Sequence, residues 1–251
     1  MTLFGHEVRT EQVLFWRNRE AAFFTFLLPV IFFLIFASIY GNDVIKKEHI
    51  LAKDFLQAGM VGYGVASTAF AGLAITMVIR RESGVLKRLR ATPLPPWTYL
   101  TAVLTSTFVV FCVQTVVLIA IGRLLFHIPL PKRPFSLFVA LLIGAASFAA
   151  MGLGLTGFIR SAEGASAVVN FIYLPMAIIS GTFFTPKQFP PFLKAIADVL
   201  PLTYFTKVIR NVMIRHEHIW TQGASLAVVV GWGAVGLVAA LRRFRWQPRE
   251  M

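Results

Sequence analysis

Charge is what this sequence has least of. Only 14% of its 251 residues are Asp, Glu, Lys or Arg, where a soluble domain carries about 25%. Acidic residues are scarcest, 11 against 24 basic ones, for a net charge of +13. In a soluble chain that excess would point to nucleic acid. Here no aromatic residues interleave with the basic ones in a polar segment, and 57% of the chain is hydrophobic. The basic surplus therefore reads as loops facing an anionic lipid surface, so membrane lipids and not nucleic acid are the expected partner. Cysteine is almost absent. Cys112 stands alone inside an apolar run, which excludes a disulfide framework and a thiolate metal site and leaves a small packing residue.

The other absences concern chemistry. Six long runs, 21–40, 55–79, 99–125, 135–159, 165–184 and 224–241, hold no Asp or Glu, and Arg123 near one end is their one basic residue. Proton- or sodium-coupled carriers need an intramembrane carboxylate or its equivalent; these runs offer Gln114, Asn170 and scattered hydroxyls. No Gly-x-x-x-x-Gly-Lys-[Ser/Thr] loop is present to cradle ATP phosphates. No Ser/His/Asp, paired-carboxylate or metal constellation supplies an intramembrane enzyme. His216-Glu217-His218 resembles a ligand pair but has no third ligand nearby and reads as a polar turn. A chain with no energy source of its own takes energy from a partner.

What is present is length. About 20 helical residues cross a hydrocarbon core of about 30 Å, so the six runs predict an all-α integral membrane protein with six transmembrane helices. Residues 1–20 mix Arg9, Arg17 and Arg19 with Glu7, Glu11 and Glu20, so the first run is a retained span and not a signal peptide. Phe4, Val8 and Phe15 share a face of that leading segment, which predicts an interfacial helix, although Glu11 intrudes on the face. With six spans both termini lie on one side. Termini inside places 13 Lys and Arg inside against 11 outside. Setting aside the long segment after the fifth run, where the charge rule is weakest, leaves 13 against 6 and favours cytoplasmic termini. Residues 21–241 then form the transmembrane domain and 242–251 a basic cytoplasmic tail.

Two interruptions are patterned. Between the second and third runs, residues 82–90 predict a short helix with Val85, Leu86 and Leu89 on one side, ringed by Lys87, Arg88 and Arg90 and stopped by Pro93, Pro95 and Pro96. Between the fifth and sixth, prolines at 186, 190, 191 and 201 cut the chain into two short pieces with apolar stripes. The first carries Phe192, Leu193, Ile196 and Val199; the second carries Leu202, Phe205, Val208, Ile209 and Val212. A re-entrant helical pair over 186–212 would bury both stripes and satisfy its backbone; a surface cap is the alternative. Small residues crowd the second and fourth runs, among them Gly59, Gly62, Gly144 and Gly152, and suit either packing within one chain or a seam between two copies.

These residues carry a resemblance. The stretch Arg81-Glu82-Ser83-Gly84-Val85-Leu86-Lys87-Arg88-Leu89-Arg90-Ala91-Thr92-Pro93-Leu94 is similar to the Arg-Glu-x-Gly-Thr-x-x-x-Leu-x-x-Thr-Pro-Leu segment of the ABC transporter type-2 permeases, the membrane subunits of bacterial drug and polysaccharide exporters. Leu174 to Phe184, followed by Pro186, resembles their fifth span. Leu200-Pro201-Leu202-Thr203-Tyr204 with Arg210 resembles the Asn-Pro-Leu-Thr-Tyr … Arg that follows. Val85 replaces the usual Thr, and Leu200 the usual Asn. The resemblance implies a multi-pass protein of the bacterial inner membrane, a second permease copy, and a separate ATP-binding subunit that uses the ATP and Mg, with no cofactor bound by this chain. It implies that Glu82, Gly84, Val85, Leu86, Lys87, Leu89 and Arg90 couple to that ATPase, and that an outer gate contains Pro186, Phe192, Pro201 and Tyr204. It also makes spans two and five pathway walls. Tyr63 and Phe70 share a face of the second, and Asn170, Tyr173, Ala177 and Phe184 a face of the fifth. Efflux of an antibiotic or hydrophobic drug is the first expectation and export of a lipid-linked glycan or lipid the second. A membrane scaffold or assembly factor is the alternative from another class, and it would not need the helix at 82–90.

Overall fold

The structure, a computed structural model, describes residues 3–45, 48–244 and 246–247. Among them six helices are long and apolar enough to cross a membrane: Arg19–Tyr40, Ala52–Glu82, Pro96–Phe126, Pro134–Thr156, Ala162–Ile179 and Ile219–Arg243. Each corresponds to one predicted run. The α-helices in chain order are α1 (Leu3–Arg17), α2 (Arg19–Tyr40), α3 (Ala52–Val65), α4 (Leu73–Glu82), α5 (Val85–Arg90), α6 (Pro96–Phe126), α7 (Pro134–Thr156), α8 (Ala162–Ile179), α9 (Pro191–Ala197), α10 (Pro201–Met213) and α11 (Gly223–Arg243). A π-helical stretch, Ala66–Gly72, joins α3 to α4 and makes span two continuous. Val44–Ile45 pairs with Ile50–Leu51 in a two-stranded ribbon.

Local chemistry places the boundaries. Proline stands in the first turn of α6, α7, α9 and α10, where its missing N–H is no loss. Asn18 and Ser161 accept from Ala21 N and Gly164 N and so cap α2 and α8. Pro29 lies inside α2 and cannot donate to the Thr25 carbonyl one turn earlier. Gln114 of α6 fills that vacancy, Nε2 to Thr25 O at 2.7 Å, which satisfies a backbone group that lipid could not.

Span two is the centre of the bundle. Its most apolar window is 67% buried, against 22% for α2 and for the last span. The small residues allow this. A Cβ on Gly59 would come 2.1 Å from the Thr182 carbonyl, and one on Gly144 would come 2.2 Å from the Phe205 ring. Both glycines therefore seat other parts of the same chain. Spans alternate in direction, so α1, α5, the 157–161 turn and the end of α11 share one end of the bundle, here the α5 end. Residues 41–45 and 48–51, α9 and α10 share the other, the α10 end.

Three expectations change. The helix expected over 82–90 begins at Val85, because Gly84 turns the chain at φ 75° and leaves Glu82 as the last residue of α4. Span five stops at Ile179; Gly181, at φ 79°, turns the chain before Phe184, which leaves the helical face expected to include it. The segment over 186–212 is two helices, but only one stripe docks. Leu202, Phe205, Val208, Ile209 and Val212 of α10 expose no surface, whereas Phe192 of α9 is 65% exposed with Ile196 and Val199 exposed beside it. Burial from water stabilises each such side chain by about 1.5–3 kcal/mol, and one face of the bundle end accommodates only one stripe. The predicted tail over 242–251 starts inside α11, which runs to Arg243, and residues 245 and 248–251 lie outside the described residues, as do residues 46–47.

Candidate functional site

At the α5 end, α5 is seated on its own chain. Leu86 has 0% of its surface exposed and Leu89 packs against the same core, while Val85 is 37% exposed and Lys87, Arg88 and Arg90 point outward. The apolar trio read from the sequence is thus divided. Leu86 and Leu89 anchor the helix, and Val85 with the three cations forms the surface it shows. Behind it lies a charged network. Arg81, 1% exposed, donates from Nη1 to Thr156 O (2.9 Å) and from Nη2 to Ile159 O (2.7 Å), and its Nε meets Glu82 Oε1 at 2.6 Å. Thr156 ends α7, so a cation there fills orphan carbonyls and complements the helix dipole. Glu82 orients this guanidinium and has little surface left for a partner. Arg80 makes a two-pronged bond to Glu11 of α1, both contacts 2.8 Å, and donates to Tyr99 Oη at 2.7 Å. Glu11, the residue that spoiled the apolar face of α1, is buried for this reason. Gln12 beside it donates to Ser106 O of α6 at 2.9 Å.

In the body of the bundle, the expected pathway residues separate. Tyr63 and Tyr173 meet at a tilt of 42°, 5.6 Å between centroids, and Tyr63 meets Phe32 (6.5 Å) and Phe183 (6.1 Å) edge-on. Phe36 adds Phe183 (5.6 Å) and Phe184 (6.5 Å). Spans one, two and five thus meet in one aromatic cluster, of which Phe32, Phe36 and Phe183 were not anticipated. Phe70 does not join it. The π-helical turn adds a residue per turn, which rotates Phe70 off the face of Tyr63, and its backbone lies against Gly152 of α7. Ala177 is buried, Asn170 is half-buried and Phe184 is exposed. The opposite face of α8 is bare, with Phe171 82% exposed and Ile172, Leu174 and Ile178 exposed nearby. On the other side of span two a cavity of about 230 Å³ lies among α1, α2 and α6, with Ser67, Thr68, Thr76 and Ser106 in its wall.

At the α10 end, Arg210 donates from Nη1 to Gly181 O at 2.8 Å and lies over the Phe55 ring, 4.4 Å from its centroid. Thr206 Oγ1 donates to Ser180 O at 2.9 Å. α10 therefore caps the end of α8, as Arg81 caps α7. Pro186 packs at the Gly181 turn, Pro201 starts α10, and Tyr204 Oη donates to Asp198 O at 2.7 Å, closing α10 on α9. The His216 carbonyl and the His218 ring both engage Arg133, and Glu217 accepts from Gln222. This turn ties the 127–133 loop to the end of α10.

Residues 2–214 match the family described as ABC-2 type transporter. The chain belongs to that family. It is similar to the transport permease YvfS of Bacillus subtilis, 26% identical over 192 residues that cover 75% of this chain and 76% of the relative. It is also similar to the inner membrane transport permease YadH of Escherichia coli, 23% identical over 186 residues and 72% of each chain. A third relative, named as a probable multidrug ABC transporter permease, YbhR of Escherichia coli, is 20% identical over 173 residues that cover 68% of this chain. That match spans 47% of YbhR, about half of a longer protein. As an ABC-2 permease this chain is a multi-pass transport protein and not an enzyme, and membership implies partnership with an ATP-binding subunit.

Four residues of this ABC-2 chain carry more than the sequence reading assigned to them. Arg81 and Arg80 were read as loop charge, although an Arg-Arg-Glu run at the end of an apolar helix is itself a sign of groups held at the bundle end. Glu11 had the clearest signal, an acid on an apolar face. Arg210 had only its family position.

Proposed function

We propose that this permease is the membrane half of an ATP-driven exporter in a bacterial inner membrane, with α5 and both termini in the cytoplasm. It works as one of two permease copies, with ATP and Mg used by separate ATPase subunits. The observation that carries this reading is α5. A helix fixed by Leu86 to its own bundle, presenting Val85 and three cations, is a rigid contact able to pass a partner's motion to span two through Arg81 and Arg80. α1 lies at the cytoplasmic interface in this reading, and α9 with α10 forms the outer gate. The bare face of α8 is available to the second copy or to lipid. A membrane scaffold would have no use for the contact made by α5.

For substrate, the aromatic cluster of Phe32, Phe36, Tyr63, Tyr173, Phe183 and Phe184 supports a hydrophobic or planar drug, which rings bind by stacking and apolar contact. A lipid-linked glycan is the second reading, favoured by the basic wall of the α10-end cavity. Reconstitution with an ATP-binding subunit that co-purifies with the permease tests the reading. Drug-stimulated ATP hydrolysis and transport are expected, both lost in Val85→Asp. Hydrolysis indifferent to the permease would overturn it.

A further inference from the structure

A cavity of about 290 Å³ opens at the α10 end between residues 48–50, the turn after α8 and α10. Its wall carries four cations, Lys187, Lys207, Arg210 and Arg215, against two carboxylates, Glu48 and Asp198. Glu48 is already engaged, with Oε1 3.0 Å from Lys187 Nζ and Oε2 3.1 Å from Arg215 Nη2. Arg210 is the unusual member. A guanidinium has five N–H donors, and here one is bonded, to Gly181 O. No second hydrogen bond holds Arg210 among the described residues; the side chain is half-buried at the cavity, and the Phe55 ring covers one face. Burial lowers the basicity of this group to about 10, with Glu48 opposing and Arg215 adding, so it keeps its charge at neutral pH. In the same wall the Thr203 hydroxyl is buried without a hydrogen-bond partner. A buried hydroxyl with no partner is costly unless something fills it, and the half-buried guanidinium beside it has donors left for an acceptor.

We propose that this cavity binds a phosphate group. A phosphate supplies several acceptor oxygens to Arg210, Lys207 and Thr203, and a charge that matches the excess of two cations. Arginine's fork suits phosphate oxygens better than a point charge does. The volume admits a phosphate with a glycerol or one sugar unit. Two sources share this chemistry, a phospholipid headgroup from the surrounding leaflet and the phosphate-bearing part of an exported molecule. The export reading bears on the source alone, because binding itself needs neither an ATPase nor transport.

The test uses the full-length permease in phosphate-free maltoside micelles, without its ATPase. Two probes are titrated at matched ionic strength, inorganic phosphate and dihexanoyl phosphatidylglycerol. Readouts are the unfolding temperature and the intrinsic tryptophan emission, to which Trp232 contributes with its indole donating to Val199 O beside α10. Saturable stabilisation by phosphate supports the proposal with the anion as sufficient ligand; saturation by the lipid alone supports it with the headgroup as ligand. The exposed-residue variant Lys207→Gln should weaken binding about tenfold, and Arg210→Gln about a hundredfold. If neither probe saturates, or if Lys207→Gln and Arg215→Gln bind as the parent does, the proposal is overturned.

Discussion

The two ends of the bundle use arginine at the end of a transmembrane helix in opposite ways. At the α5 end Arg81 is saturated by two carbonyls and a carboxylate, and its neighbour Arg80 by Glu11 and Tyr99. At the α10 end Arg210 has one carbonyl and an aromatic face, and the cations around it outnumber the carboxylates. A saturated cation stiffens the helices it joins, because every alternative arrangement loses a bond. An under-coordinated one leaves donors for a ligand, and its hold on span five is weaker. The end expected to receive a partner's motion is thus joined by saturated charges, and the end expected to open has an arginine with a single hydrogen bond, to Gly181, beside the neutral bond of Thr206 to Ser180 and the buried stripe of α10.

The sharpest way to break this comparison is to remove each arginine. Arg81→Met strands the Glu82 carboxylate and the end of α7, and should cost about 3–5 kcal/mol of stability. Arg210→Met removes one charged hydrogen bond and should cost about 1.5–3 kcal/mol. Denaturant unfolding in micelles measures both; equal costs would erase the distinction between the ends.

Glycine offers a second contrast. Gly84 and Gly181 both sit at positive φ, so Ala at either position is strained by about 1–2 kcal/mol. Space separates them. Nothing lies within 4 Å of a Cβ at Gly84, whereas one at Gly181 meets Pro186 Cδ at 3.0 Å and Arg210 Nη1 at 3.4 Å. Gly181→Ala should therefore destabilise more than Gly84→Ala, and only the former should raise hydrogen exchange in α10.

Glu11→Gln cuts the two-pronged bond to Arg80 and should cost about 2 kcal/mol, read as faster exchange throughout α1 with the α10 end unchanged. The smallest structural effect is expected at α5. Val85→Asp lies on its exposed side and should change stability by less than about 0.5 kcal/mol, yet abolish stimulation of the partner ATPase. A large loss of stability would show that Val85 is part of the core and not of the contact surface.

Several of these residues were visible in the sequence without their roles. The anomaly of Glu11 on an apolar face could be seen, but its partner lies 69 residues away. Arg81 could be counted as loop charge, but its acceptors are 75 and 78 residues away. The stripes of α9 and α10 looked alike, and only the shape of the bundle end decided that Phe205 docks and Phe192 does not. Periodicity put Tyr63 and Phe70 on one face, and the π-helical turn between them undid that alignment.

Sequence by itself determined the membrane class, the six spans, the break points and the family motifs, because hydrophobic length, proline and glycine act on the chain locally and in order. Tertiary structure alone decided which charges are saturated, which apolar stripe is covered and which rings meet. Those outcomes depend on groups distant in sequence arriving within about 3 Å of one another, and only the packed bundle sets that distance.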